Sequence, residues 1–285
     1  MKRKIKNSAK GYLFILPYLV GMLIFYMIPY IISIGLSFTT GVGQKTFVGL
    51  KNYISLFQSE AFMLASKNTL ILTFTAIPLL FAVALTLALY LNEKLKKIEL
   101  FRSMFILPMV LPTASIILFW QIIFKDRGLI NYALGLMGVD SIRFFHSEYS
   151  MLVVILIYLW KYIGYSVVLF LSGLNNINSE YYESAEIDGA SRWHCFVKIT
   201  LPLLRPTAFL VLILSFVNSL KIFREVYLLS GAYPHQSIYM LQHFMNNNLR
   251  NLNYQRLTTA SFILSIIIIA IMIMLYRYQR KADVV

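Results

Sequence analysis

ESAEIDGASRWHCFVKITLPLLRP, from Glu183 to Pro206, is the longest polar segment with helix grammar in a very apolar chain. Asn178 and Ser179 stand just before it, where a helix cap belongs. Glu180 and Glu183 put negative charge near the positive end of the helix they open. Gly189 interrupts that helix, and its bare backbone predicts a point where another surface approaches closely. Pro202 and Pro206 then stop or redirect the chain before the next apolar run.

That polar stretch is flanked by apolar blocks on both sides. The 285 residues are 59% hydrophobic and 13% charged, with a mean hydropathy of +0.69, which excludes an ordinary soluble fold. A membrane crossing takes roughly 20 residues at about 1.5 Å rise each. Blocks of that length recur at about 11–38, 68–92, 103–124, 151–174, 207–230 and 257–276. The chain therefore reads as an all-α polytopic membrane protein, a single transmembrane domain over 1–285 with six transmembrane helices. Pro17 and Pro29 are expected to bend the first span, and Pro108 and Pro112 lie in the third. The first run follows Lys2, Arg3, Lys4, Lys6 and Lys10 like a secretory leader, but it is too long for one and is read as a retained span.

Orientation follows from the basic residues. With both termini inside, Lys2, Arg3, Lys4, Lys6, Lys10, Lys94, Lys96, Lys97, Arg102, Arg192, Lys198, Arg205, Arg277, Arg280 and Lys281 are internal, 15 in all. Lys45, Lys51, Lys67, Lys125, Arg127, Arg143, Arg250 and Arg256 are external, 8 in all. This bias satisfies the positive-inside rule and puts residues 175–206 in the cytoplasm. The net charge of +14 is thus a matter of membrane orientation rather than of nucleic-acid binding. Cys195 is the one cysteine, so no intramolecular disulfide forms, and the four histidines show no metal-ligand spacing.

No segment reads G-x-x-x-x-G-K-[ST], G-x-S-x-G or H-E-x-x-H, so no catalytic residue is assigned and an enzyme is not expected. The chemistry that stands out is ionisable and inside the spans. Lys161 falls roughly 15 Å along the fourth span, near the bilayer centre, and Lys221, Arg224 and Glu225 lie in the fifth. Such charge costs about 2.5–3.5 kcal/mol per residue on insertion scales, so it should face a cavity or a partner. Tyr158, Lys161, Tyr162 and Tyr165 form a polar stripe on the fourth span. Ser215, Asn218, Lys221 and Glu225 form one on the fifth. Two readings follow: the stripes line a translocation path, with Lys161, Asn218, Lys221 and Glu225 on a shared cavity, or Lys221–Glu225 is a structural ion pair and the tyrosines pack against a neighbouring helix.

The polar loop carries a resemblance. Glu183, Ala185, Gly189, Ile199, Leu201 and Pro202 match the EAA loop of membrane permeases in ATP-binding-cassette importers, E-A-A, three residues, G, nine residues, I-x-L-P. Ser184 takes one Ala position, a small-for-small change. The wording of residues 11–39, GYLFILPYLVGMLIFYMIPYIISIGLSFT, is similar to the first helix of sugar permeases encoded first of a pair, and FVGLKNYISLF at 47–57 resembles a family stretch ahead of the second span. Ser230-Gly231-Ala232-Tyr233-Pro234 departs from the Gly-Gly-Pro-like phrase often found there, but keeps its turn chemistry.

The resemblance, to the carbohydrate permeases of the maltose, glycerol-phosphate and lactose type, implies the type I importer permease fold in a bacterial cytoplasmic membrane. It implies that residues 175–206 form a coupling loop that docks on an ATPase, with Glu183, Ser184, Ala185, Asp188, Gly189, Ile199, Leu201 and Pro202 as the coupling residues. The implied partners are a second related permease, two ATP-binding subunits, an extracytoplasmic solute-binding protein and membrane lipid, with no nucleic acid. No cofactor is expected on this chain, ATP being bound by the partner subunit, and transport would run by alternating access. The competing class is an ion-coupled secondary transporter or channel that uses the intramembrane Lys and Glu, and it leaves the loop match unexplained.

Overall fold

In a computed structural model of the chain, residues 14–41, 46–94 and 98–282 are described. The basic N-terminus through Lys10, the start of the first span at 11–13, Lys45, Lys96 and Lys97 lie outside the described residues. The chain packs as two compact units, Met1–Glu60 with Met245–Ile268, and Ala61–Phe244 with Ile269–Val285.

In the first unit, α1 (Phe14–Ser37) is a helix of 24 residues whose apolar window is wholly unburied. A π-helical turn, Leu23–Met27, precedes Pro29. Proline has no N–H and its ring collides with the carbonyl four residues back, and the wider turn absorbs both. There the Ile28 N–H donates to the Leu23 carbonyl, five residues back. Strands β1 (Thr39–Thr40) and β2 (Thr46–Phe47) pair antiparallel and lead into α2 (Lys51–Phe57). Asn52 Nδ2 donates to the carbonyls of Ser37 and Thr39, both at 2.9 Å, so α2 is tied to the end of α1.

The second unit is built on α3 (Glu60–Lys94), α4 (Ile98–Val110), α5 (Thr113–Phe124), α6 (Leu129–Leu136) and α7 (Ser150–Asn175). It continues with α8 (Glu180–Ile187), α9 (Arg192–Cys195), α10 (Arg205–Lys221) and α11 (Phe223–Ser230). Helices α12 (Leu241–Arg250) and α13 (Tyr254–Ala282) run on from one unit into the other. Among the described residues, five helical stretches are long and apolar enough to cross a membrane: Phe14–Ser37, Glu60–Asn92, Ser150–Asn175, Arg205–Ser230 and Tyr254–Arg277.

The stretch expected to be the third span, 103–124, is not one straight helix. Ser103–Val110 and the following Thr113–Leu136 are bent by 96°, and the two count as a sixth crossing only if taken together. Pro112 is the cause: its backbone is extended (φ −57°, ψ 135°), and the residue before a proline is disfavoured in the helical region.

The apolar interior of this unit forms two clusters. Leu72, Ala76 and Leu80 of α3 meet Trp120 and Phe124 of α5, Val153, Ile157 and Tyr158 of α7, and Ile222 and Val226 around α11. Ala84 and Ala88 of α3 meet Phe170, Leu171 and Leu174 of α7 and Val211 of α10. Helices α4 and α7 approach closely at Gly164, where a Cβ would lie 1.9 Å from the Phe105 carbonyl oxygen. Inside a membrane, small residues at a crossing are what let backbones pack against each other.

Candidate functional site

Two regions collect the polar residues singled out by the sequence. The first is buried in the second unit, between α7, α10 and α11. Tyr158 is fully buried and its hydroxyl donates to the Ser215 carbonyl of α10 at 2.7 Å. One turn on, Lys161 Nζ donates to Glu225 Oε1 of α11 in a buried ion pair. The Lys161 ammonium also lies 5.4 Å from the centre of the Tyr162 ring, within cation–π range. The Tyr158 and Tyr162 rings pack at 5.1 Å. The second Glu225 oxygen, Oε2, is buried without a hydrogen bond.

This arrangement corrects one sequence expectation. Lys221 and Glu225 do not form a pair; Lys221 is exposed and the partner of Glu225 is Lys161. The spacing rule i, i+4 requires an unbroken helix, and here the helix is interrupted at Ile222, between α10 and α11. Asn218 is buried and Tyr165 half-buried, so of the two stripes the structure brings Tyr158, Lys161, Tyr162, Ser215 and Glu225 together and leaves Lys221 outside.

The second region is the polar loop. Asn178 Oδ1 accepts the Glu180 amide at 3.2 Å, so Asn178 rather than Ser179 supplies the side-chain cap of α8. Glu180 and Glu183 occupy the first turn. The helix closes in a Schellman turn: the Ala190 amide donates to the Ala185 carbonyl at 2.9 Å and the Gly189 amide to the Glu186 carbonyl at 3.0 Å. Gly189 stands at the left-handed position of that turn, with φ +77°. No atom of the chain lies within 4 Å of where its Cβ would be. Its glycine is therefore accounted for by backbone conformation and not, within this chain, by a close approach.

Beyond Gly189, Ser191 caps α9 by accepting the His194 amide at 3.2 Å. A second π-helical turn, Phe196–Thr200, sits immediately before Leu201–Leu203. It has the same relation to Pro202 as the first has to Pro29, and the Leu201 N–H donates to Phe196 O. Neither Pro202 nor Pro206 ends a helix; both lie in first turns, where the missing N–H costs least. Thr200 is buried, and its Oγ1 lies 2.9 Å from the Tyr182 hydroxyl, which fastens α8 to the root of α10.

No residue of α8 is buried. Ile187 is 87% exposed, Trp193 72% and Leu201 38%. Among the other loop positions, Glu183, Ser184 and Asp188 are exposed and Ala185, Ile199 and Pro202 are half-buried. The segment thus offers charged and apolar side chains on a well-closed backbone with no apolar core of its own.

Sequence reasoning missed two positions in the second unit. Gly164 had a signal, being the one glycine among bulky neighbours in the YIGYS run at 162–166. His243 had none. It is fully buried, its Nδ1 accepts the Met240 amide at 3.3 Å, and its ring lies 4.7 Å from that of Phe223. Burial pushes its pKa down to about 4, which keeps the ring neutral.

Comparisons with known proteins bear on both regions. Residues 80–283 match the family model described as "Binding-protein-dependent transport system inner membrane component", a range that contains both. The trehalose/maltose transport system permease protein MalF of Thermococcus litoralis is 33% identical over 238 residues, 82% of this chain and 81% of that one. A crystal structure of a bacterial ABC transporter involved in the import of the acidic polysaccharide alginate contains a chain that superposes with a TM-score of 0.84 at 26% identity, over 98% of each chain. A bacterial alginate ABC transporter in complex with alginate pentasaccharide-bound periplasmic protein gives 0.83 at 25% identity, over 99% of this chain and 97% of that one.

Proposed function

We propose, from the premise that this chain belongs to the family of binding-protein-dependent transport system inner membrane components, that it takes up carbohydrate and couples to a separate ATPase through residues 175–206. As a permease subunit it is not an enzyme, and ATP hydrolysis belongs to another subunit. The carbohydrate class is supported by the substrates named for the relatives, trehalose and maltose in one and alginate in others. The partners would be a second related permease, two ATP-binding subunits and an extracytoplasmic solute-binding protein, with both termini cytoplasmic.

The observation that carries the coupling reading is the exposure of α8. A helix with no fully buried residue, yet capped at Asn178 and closed at Gly189, is shaped for a surface outside the chain. Glu183, Ser184, Ala185, Asp188, Gly189, Ile199, Leu201 and Pro202 would form that contact. Its firm link to α10 through Tyr182 and Thr200 offers a route by which movement at the ATPase would reach the spans. The two arrangements of alternating access would then differ in how α8 and its partner's counterpart are held.

The ion-coupled alternative needs an ionisable group that exchanges with water. Lys161 and Glu225 are buried and satisfy each other's charge, which favours a structural role for them over ion coupling. Reconstituted vesicles holding the complete complex separate the readings. Sugar uptake that requires internal ATP and persists after the ion gradients are collapsed is expected. Uptake that follows the gradient without ATP sinks the importer reading.

A further inference from the structure

At the end of α7 away from the coupling loop, a cavity of about 370 Å³ opens between α3, the segment entering α7, and the 3-10 turn Gln236–Ile238. Helix α7 has 26 residues, about 39 Å at 1.5 Å each, so the cavity and the loop belong to opposite membrane faces. The α3 wall is one helix face, with Leu64, Lys67, Asn68 and Ile71 recurring at three- and four-residue steps. Glu148 and Met151 form the second wall and Gln236 and Ser237 the third.

The walls are held by bonds that leave three exposed polar side chains, Lys67, Glu148 and Gln236, free around the opening. Asn68 is buried, and its Nδ2 donates to the carbonyls of Gln236 at 2.6 Å and Tyr239 at 2.9 Å. Ser237 Oγ donates to the Ser147 carbonyl at 3.3 Å. Thr69 Oγ1 accepts the Leu241 amide at 3.0 Å and so fixes the chain just beyond the turn. Among the described residues, the Lys67 ammonium, the Glu148 carboxylate and the Gln236 side-chain amide make no hydrogen bond or ion pair.

An exposed cation and an exposed anion around one space offset each other and favour neither sign of ligand charge. An acidic ligand gains at Lys67 what it loses at Glu148, and a basic one the reverse. A neutral polyhydroxyl ligand answers all three groups at once, because each hydroxyl both donates and accepts. Leu64, Ile71 and Met151 supply apolar area for the C–H faces of a ring. The volume lies in the range of small-molecule pockets, about 300–1,000 Å³.

We propose that this cavity is an outer receiving subsite for a neutral saccharide unit, occupied after release from the binding protein and before entry into the membrane interior. The proposal rests on the carbohydrate-importer reading above. In that frame Lys67 and Glu148 are binding residues, and Asn68 is a positioning residue that sets Gln236.

The test uses the full importer in proteoliposomes with its solute-binding protein, and variants Lys67→Met, Glu148→Gln and Gln236→Ala. Maltose, trehalose, lactose and raffinose are offered beside digalacturonate, and both sugar uptake and ATP hydrolysis are measured. The wild type should carry a neutral sugar of this set in preference to digalacturonate. Each variant should carry roughly three- to tenfold less sugar per ATP, the loss of about one hydrogen bond, while the loaded binding protein still stimulates ATPase near the wild-type rate. An unchanged sugar-to-ATP ratio in all three variants overturns the subsite. ATPase stimulation that falls in step with uptake also overturns it, since the cavity then docks the binding protein or only supports the fold. Import of digalacturonate alone overturns the neutral class and leaves the importer reading standing. A wild type that imports no sugar under ATP fails at the carbohydrate reading itself, before any variant is compared.

Discussion

Around Lys161 the polar side chains turn inward: Tyr158 reaches a backbone carbonyl, Lys161 meets Glu225, and the Tyr162 ring lies beside the ammonium. Along α8 the opposite holds, and no side chain is buried. Both regions are rich in charge and both drew attention in the sequence, yet only the first is needed by this chain's own fold. A buried group must find its partner inside the molecule or incur the desolvation penalty, so its energetics are settled locally. An exposed helix with good caps keeps its shape without such partners, and its side chains remain available to another subunit. Charge in a sequence therefore does not separate structural from functional use; burial does.

The contrast can be broken at several points, the most damaging first. Gly164→Leu should prevent α4 and α7 from packing, because even a Cβ would stand 1.9 Å from the Phe105 carbonyl oxygen. The expected result is loss of monodisperse protein on size-exclusion chromatography in detergent. A variant with the wild-type profile and melting temperature would mean that the two helices do not meet there.

Lys161→Met leaves Glu225 buried and unpaired, with an expected loss of about 3–5 kcal/mol, whereas Lys161→Met with Glu225→Met should recover most of it. Lys221→Met should stay within about 0.5 kcal/mol of wild type. Thermal unfolding of the purified chain reads all three. If Lys221→Met proves as damaging as Lys161→Met, the pairing described here is wrong.

Gly189 sharpens the comparison, since its constraint is conformational. Gly189→Val forces a β-branched residue to φ +77° and should cost about 1–2 kcal/mol in the local turn. Gly189→Asn, which tolerates that region, should keep both the turn and ATPase binding. Equal loss of ATPase from both variants would instead place a close partner surface at this position.

Ile187→Asp should change stability least, within about 0.5 kcal/mol, because Ile187 touches almost nothing in its own chain. It should nevertheless reduce the ATPase retained on the purified permease pair and the uptake of sugar. Full retention with full uptake would remove α8 from the docking surface.

How much of this was legible in the sequence differs between the regions for physical reasons. The apolar blocks, the helix opened by Asn178 and the stop at Gly189 are local, set by hydropathy, caps and backbone freedom over a few residues. The family resemblance was legible for the same reason, since the Glu183–Pro202 motif is a fixed spacing along the chain. The bend at Pro112 was half visible: the proline could be read, but the 96° between its flanking helices depends on what each packs against.

The partner of Glu225 lay beyond the sequence. Lys161 is 64 residues away, while Lys221 stands at the spacing that a straight helix would favour. Only the interruption at Ile222, together with the crossing of α7 past α10 and α11, decides between the two lysines. The same holds for Gly164, whose value comes from Phe105 on another helix, and for the cavity assembled from residues near positions 67, 148 and 236. The sequence by itself determined the apolar helical blocks, though not the bend within the third, and the family. Which buried groups face one another was decided by tertiary structure, because a pairing across helices is a matter of distance in space that spacing along the chain does not encode.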